Sequence, residues 1–495
     1  MALNSNTDSF ELLDGAFNSN IYFGKIENAL EIISKIELLV DNSDQKFLYP
    51  TIAEEIRRGD LSGAFEVSQL LGLENHNVLL KEILSAWNSA FLGQKGNSLS
   101  KLDSFSKDKI NSSEIFYYLK IHALLIASYF NDQSEIENRY KEIIHNLDKI
   151  PPRYYLFIAK VVYDKIDQDQ AKNFLATNLP QNLDFEVYID LINDDSQINQ
   201  FSLLANVFFE MGYIVARSEG LFNSIPFFWY SLYINEKNTE ARLILSSFYS
   251  NMNQKKFALK LLDDNLHKSP SWVILNFEKS YLYEEMNNVD LAISLLEKFK
   301  KDERFRTKAL LRISNIYRRN ENYKSSLNTL NSIQIKDNTS PEIYYYKSLT
   351  FVMLKDWQNA IKSFDILLEK YPESPEVLNF VGYTLVDRNI RLKEGIDLIK
   401  KAVSNEPQNG FYLDSLGWAY FKLGEIDKAI IYLERSVELE PQEMEITDHL
   451  GDAYWEVKRY KEAELVWKRA LTLSGNKDIY ERIEMKLKRY FKNER

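Results

Sequence analysis

Residues 410–443 read GFYLDSLGWAYFKLGEIDKAIIYLERSVELEPQE. Two helix-length amphipathic segments flank the turn Leu423-Gly424-Glu425, and Pro441 closes the second, because proline lacks the amide that the next helical turn requires. A hairpin of this kind leaves an apolar face uncovered. It therefore needs a neighbour of the same type on each side.

The chain supplies those neighbours at a constant step. Gly212, Ser246, Ser280, Ser314, Ser348 and Gly382 follow one another every 34 residues, then Gly417 after 35 and Gly451 after 34. Three residues after each small anchor stand Val215, Tyr249, Tyr283, Tyr317, Phe351, Leu385, Tyr420 and Tyr454. A second small column, Ser224, Ala258, Ala292, Ser326, Ala360, Gly395, Ala429 and Ala463, keeps the same phase. A large apolar column, including Phe228, Phe364, Leu433 and Trp467, lies one helical turn beyond it. Small side chains let two helices approach closely, and the large ones fill the space beside the crossing.

This period and these columns resemble the tetratricopeptide repeat (TPR), a helix-turn-helix unit of 34 residues. The matching residues include Leu416, Gly417, Tyr420, Ala429, Leu433 and Pro441, then Leu450, Gly451, Tyr454, Ala463 and Ala470. Departures are an extra residue near Asn389 and Phe299 in place of a small residue. The resemblance implies an all-α fold, a right-handed α-solenoid of stacked antiparallel helix pairs, with eight TPR units over 205–477.

Upstream the pattern weakens. Phe17 with Ala29, Ile52 with Ala64, Ala86 with Ser98 and Ala159 with Ala171 repeat the spacing of twelve, and Phe116 to Ile144 is helical but off register. Residues 1–180 thus read as degenerate TPR-like helical repeats. The phase breaks over 181–204, which holds the polar run Asn193-Asp194-Asp195-Ser196-Gln197 and reads as an irregular elbow. Residues 478–495 read as a C-terminal capping helix, with Ile479, Ile483, Leu487, Tyr490 and Phe491 on one side and Arg482, Lys486, Lys488, Arg489 and Lys492 on the rest. A basic partner-binding or membrane-surface helix is the alternative there.

Composition agrees with a long helical array. Only 16 glycines and 11 prolines punctuate 495 residues, and 45% hydrophobic residues suffice for an extensive core. The formal net charge of −11 argues against general attraction to nucleic acid. The absence of cysteine removes disulfides, thiolate metal ligands and cysteine nucleophiles. Met1 to Phe10 is polar, and no apolar run reaches the roughly 18 residues of a membrane helix. A cytoplasmic protein with no integral membrane segment is expected, or a periplasmic one if the numbering starts after a removed signal peptide.

Chemistry-bearing motifs are lacking. There is no phosphate-cradling glycine loop, no Gly-x-Ser-x-Gly and no His-Glu-x-x-His. The five histidines fall in different repeats; His449, beside Asp448, has no nucleophile placed near it. The reading is therefore not an enzyme, with no catalytic residue, metal or cofactor. In TPR proteins, positions about three before, one after and four after the small anchor line the groove. Carried onto this chain they give Tyr281, Arg318, Tyr345, Phe380, Tyr383, Asp414, Trp418, Phe421, Asp448, Asp452 and Trp455 as the partner-binding groove. Rigid aromatic side chains dominate protein interfaces, because they bury area at small entropy cost. Leu311 stands where carboxylate-clamping TPR domains carry lysine, which disfavours capture of a chain terminus.

The expected function is a scaffold or adaptor that binds a peptide or helix of a protein partner in the concave groove. The C-terminal repeats also resemble those of proteobacterial multi-TPR proteins, which implies a cell-envelope assembly factor as the alternative.

Overall fold

The computed structural model describes residues 10–36, 44–104, 113–180, 184–194, 200–263, 271–334, 341–475 and 477–490. Asp195 to Gln197, Phe491 and Lys492, which the sequence reading assigned to a loop and to the capping helix, lie outside them, as do the first nine residues. Among the described residues there are 28 α-helices and no strand. The chain forms two compact units, Met1–Phe299 and Lys300–Arg495.

The first unit pairs α1 (Phe10–Tyr22) with α2 (Ile26–Ile36), α3 (Leu48–Arg58) with α4 (Leu61–Ser68), α5 (Asn75–Phe91) with α6 (Lys95–Asp103), α7 (Ser113–Tyr129) with α8 (Gln133–His145) and α9 (Tyr155–Lys165) with α10 (Gln168–Asn178). A single helix, α11 (Phe185–Asn193), follows within the interval expected to be an irregular elbow. Next come α12 (Gln200–Glu219) with α13 (Leu221–Ile234), α14 (Thr239–Asn251) with α15 (Lys255–Leu262), and α16 (Ser271–Glu285) with α17 (Val289–Glu297). In the second unit α18 (Glu303–Arg319) pairs with α19 (Tyr323–Asn331), α20 (Pro341–Met353) with α21 (Trp357–Lys370), α22 (Pro375–Asp387) with α23 (Leu392–Asn405), α24 (Gly410–Lys422) with α25 (Ile426–Leu439) and α26 (Met444–Glu456) with α27 (Tyr460–Ala470). The unpaired α28 (Lys477–Tyr490) ends the array.

The hairpin turns have a local cause. After α24 the chain takes a left-handed conformation at Gly424 (φ 75°), while Glu425 N–H donates to the Tyr420 carbonyl and Gly424 N–H to that of Phe421. These bonds satisfy carbonyls that the helix end would leave unpaired. The same left-handed step recurs at Asn253, Asn287, Glu321, Lys355, Asn389 and Lys458, in phase with the repeat.

Each small anchor lies on the first helix of a pair, against the second. A Cβ built on Gly382 would come 2.7 Å from the Gly395 carbonyl oxygen, and one built on Gly395 would come 2.8 Å from that of Gly382. Backbone meets backbone there, so no side chain fits. Serine serves equally where its hydroxyl finds a carbonyl: Ser246 donates across the pair to Ala258, while Ser280 and Ser314 donate back along their own helices.

Unit 1 departs from simple neighbour-to-neighbour stacking. Its first helices turn back so that α5 packs on α12, and α1 and α3 pack on α13. Tyr49 meets Phe227 edge-on at 5.0 Å between ring centroids, and Tyr233 donates to Glu54, 179 residues away, at 2.7 Å. The Trp229 ring lies so close to Gly24 that a Cβ there would overlap it. Most of the buried apolar residues of unit 1 accordingly form one cluster running from Leu13 to Leu282. Those of unit 2 fall into several smaller clusters, as expected when each pair touches only its neighbours.

Candidate interaction face

In unit 2 the predicted groove residues fall on the first helices α18, α20, α22, α24 and α26. Tyr281 belongs to α16 of unit 1 and is 43% exposed. On α18 the Arg318 guanidinium donates to Asn315 at 2.6 Å, and its Nε is buried with no hydrogen-bond partner. Tyr345 on α20 packs against Phe380 on α22, ring centroids 4.6 Å apart. Phe380 also meets Phe364 of the second helix α21, so it fills the seam between repeats. Counting back three from Gly382 lands on Asn379, one residue earlier. The Oδ1 of Asn379 is buried and unpartnered, which places the polar group of this repeat at Asn379. Tyr383 is half-buried, and burial holds its hydroxyl pKa well above the ordinary tyrosine value, with Glu445, Asp414 and Asp387 adding to the shift.

The next repeat supplies a buried charged pair that the sequence did not reveal. His449 Nδ1 lies 2.9 Å from Asp414 Oδ1, and both side chains are nearly inaccessible. Trp418 is sandwiched between His449, at 4.2 Å and 17°, and Phe421, at 4.8 Å and 6°. Its Nε1 is buried without a partner. Burial alone would lower the His449 pKa, but the charge and hydrogen bond of Asp414, with Glu445 and Asp448, outweigh it and raise the pKa above the usual histidine value. Because the folded value is the higher one, the stabilisation is complete below the ordinary histidine pKa of about 6.5 and is lost as pH rises through the raised value. Unfolding midpoints of unit 2 should therefore fall over that window in the wild type. In His449→Gln the slope should flatten, as followed by denaturant titration at several pH values.

At the end of the array α28 covers the acidic groove positions. Asp448, 0% exposed, accepts from Arg482 at 2.8 Å and from Lys486 at 2.7 Å, and Lys486 also reaches Asp452 at 2.5 Å. Trp455 stacks on Tyr490 with centroids 4.1 Å apart. Burial raises the Asp452 carboxyl pKa, with Lys486 opposing the shift. Arg482 and Lys486 stand 34 residues after Asp448 and Asp452. The repeat step thus relates these two cations to the carboxylates they meet, and α28 lies over the last unit, where the sequence reading put a capping helix.

Unit 1 contains a different polar feature. A cavity of about 220 Å³ is lined by Leu79, Tyr118, Arg153, Tyr154, Glu210 and Tyr213, among others. Arg153 forks onto Glu210 with two hydrogen bonds of 2.9 Å, and Tyr154 donates to the same carboxylate. The Arg153 guanidinium lies 4.7 Å from the ring centroids of both Tyr154 and Tyr213.

Repeating hairpins with small anchors at their crossings define the class as a helical-repeat protein. Residues 342–374 and 410–443 each match the tetratricopeptide repeat family, so the chain carries tetratricopeptide repeats there. It is 32% identical over 91 residues to a TPR repeat-containing protein of Pseudomonas aeruginosa, a match covering 18% of this chain and 15% of that protein. Among solved structures, the type IV pilus biogenesis factor PilW is 20% identical with a TM-score of 0.32, covering 38% of this chain and 94% of PilW. MamA of Desulfovibrio magneticus is 23% identical with a TM-score of 0.29, over 34% of this chain and 93% of MamA. The Cut9–Hcn1 assembly gives 13% and 0.39, over 95% of this chain and 96% of the matched chain. Likenesses at this level carry no weight for function. Among the described residues, no helix is long and apolar enough to cross a membrane.

Proposed function

We propose that the chain is a non-catalytic scaffold that holds a peptide or helix of a protein partner along the first-helix face of unit 2. The observation that carries this reading is a set of unpaired polar atoms. Arg318 Nε, Asn379 Oδ1 and Trp418 Nε1, on three different repeats, are buried without hydrogen-bond partners, and each occupies a groove position. Unpaired buried donors and acceptors are costly, at about 1–3 kcal/mol each. Two donors and an acceptor match what a partner's backbone or polar side chains offer once the side chains covering them give way on binding. The aromatic neighbours Tyr345, Tyr383, Trp418 and Phe421 supply the apolar area that such a contact buries. The net charge of −11 favours a protein partner over nucleic acid.

The test is affinity capture with the tagged full chain, followed by mass spectrometry, in wild type and in Trp418→Ala with Phe421→Ala. The double variant should lose the captured protein while keeping its helical content. Unchanged capture would remove the groove from the account.

A further inference from the structure

The end of the interaction face is already filled by the chain's own last helix. α28 sits where the first helix of a further repeat would, since Arg482 meets Asp448 and Lys486 meets Asp452 at the repeat distance of 34 residues. It lacks the features that would make it a repeat. The positions equivalent to Leu450, Gly451 and Tyr454 are Glu484, Met485 and Lys488. Glu484 and Lys488 pair with each other at 2.8 Å, and Met485 is exposed, so nothing packs on that side. Among the described residues α28 has no second helix paired with it.

The attachment of α28 is unusual for this chain. Of its side chains only Ile483 is buried, whereas α26 buries nine residues and α24 eight. What holds it is the Ile483 anchor with the partly buried Ile479 and Leu487 beside it, and charge, through Arg482 and Lys486 on Asp448 and Asp452, together with the stack of Tyr490 on Trp455 and Lys486 over the Trp467 ring. Asp448 is fully buried, so its carboxylate needs a cation whenever the seat is covered. The seat selects a helix with two basic residues one turn apart and an apolar or aromatic residue beside them. A helix held by little apolar burial is also the part of a fold that opens at low free energy.

We propose that Asp448, Asp452 and Trp455 form a seat for a basic amphipathic helix, and that α28 fills it as an internal ligand which a partner helix of the same chemistry displaces. This deepens the groove reading above and rests on it for the partner being a protein. Charge complementarity and the continuity of the seat with Asp414, His449 and Trp418 on the adjoining repeat favour a partner that runs from the groove into the seat. In its absence α28 keeps the buried carboxylate paired.

The probe is a fluorescein-labelled peptide of sequence Lys477 to Tyr490, added to the full chain. Arg482→Ala with Lys486→Ala weakens α28 without altering the seat. This variant should bind the peptide at least about tenfold more tightly than the wild type, and adding Asp448→Asn should reverse the gain. Hydrogen exchange on the unaltered protein provides a measurement that no variant can spoil: α28 amides should exchange faster than those of α26 and faster still when salt is raised. No peptide binding by the double variant, or α28 amides as slow as those of α26, would overturn the proposal. A wild-type dimer that the free peptide dissolves would assign the seat to a second copy and overturn a separate partner. The capture experiment with Trp418 and Phe421 is independent: its failure alone removes the groove reading, and failure of peptide binding alone removes the displaceable helix.

Discussion

Glu210→Ala is expected to destabilise unit 1 by about 3–5 kcal/mol, the range for breaking one side of a buried ion pair. Glu210 is 4% exposed and accepts two hydrogen bonds from Arg153 and one from Tyr154. Removing the carboxylate takes the forked partner from the partly buried Arg153 guanidinium, and the cost of that loss sets the size of the effect. The paired change Glu210→Leu with Arg153→Met removes both charges and should recover most of the stability, because apolar replacements of similar volume are often close to neutral. Denaturant unfolding gives the magnitude. Hydrogen exchange locates it, with α7, α9 and α12 the helices affected. A loss below about 1 kcal/mol would show that Arg153 swings out to solvent in the variant.

Trp467→Ala should cost about 3–5 kcal/mol at the end of unit 2, as large-to-small changes of a buried indole do. The Trp467 ring presses on Gly451, where a Cβ would overlap it, and Nε1 donates to the Asp448 carbonyl at 3.3 Å. It also meets Trp455 at a tilt of 34°, stacks with Tyr490 and lies under Lys486. Its loss removes the floor on which both α26 and α28 rest. Since each pair contacts only its neighbours, the damage should stay local, with faster amide exchange in α26, α27 and α28 and no change in α18 or α19. Uniform loss of protection across unit 2 would instead mean that its pairs unfold as one cooperative block.

The legible part of this protein was the repeat. Gly382 and Gly395 meet backbone to backbone, Gly417 faces Leu433 and Gly451 faces Trp467, each as the columns implied. The candidate face was legible only in outline. Trp418 and Phe421 do lie together, but Phe380 packs into the seam and Asn379 takes the polar position. His449 was weighed only as a catalytic residue, and its partner Asp414 lies 35 residues away on another repeat. The repeat step could have paired Arg482 with Asp448, whereas amphipathic patterning alone only sets Arg482 off the apolar side of the helix.

By itself the sequence determined the hairpins and their order, because a helix crossing is set by residues within one repeat: a small anchor, a second small residue twelve positions on, and a turn that accepts a left-handed residue. Only the tertiary structure decided that α1, α3 and α5 return to pack on α12 and α13, joining one core cluster from Leu13 to Leu282. The contact of Tyr233 with Glu54 spans five repeats and has no period to announce it. The filling of the acidic seat by α28 was decided there as well, since the same basic helix could have faced water. Local periodicity constrains neighbours, and contacts beyond the neighbouring repeat depend on how small rotations accumulate along the array.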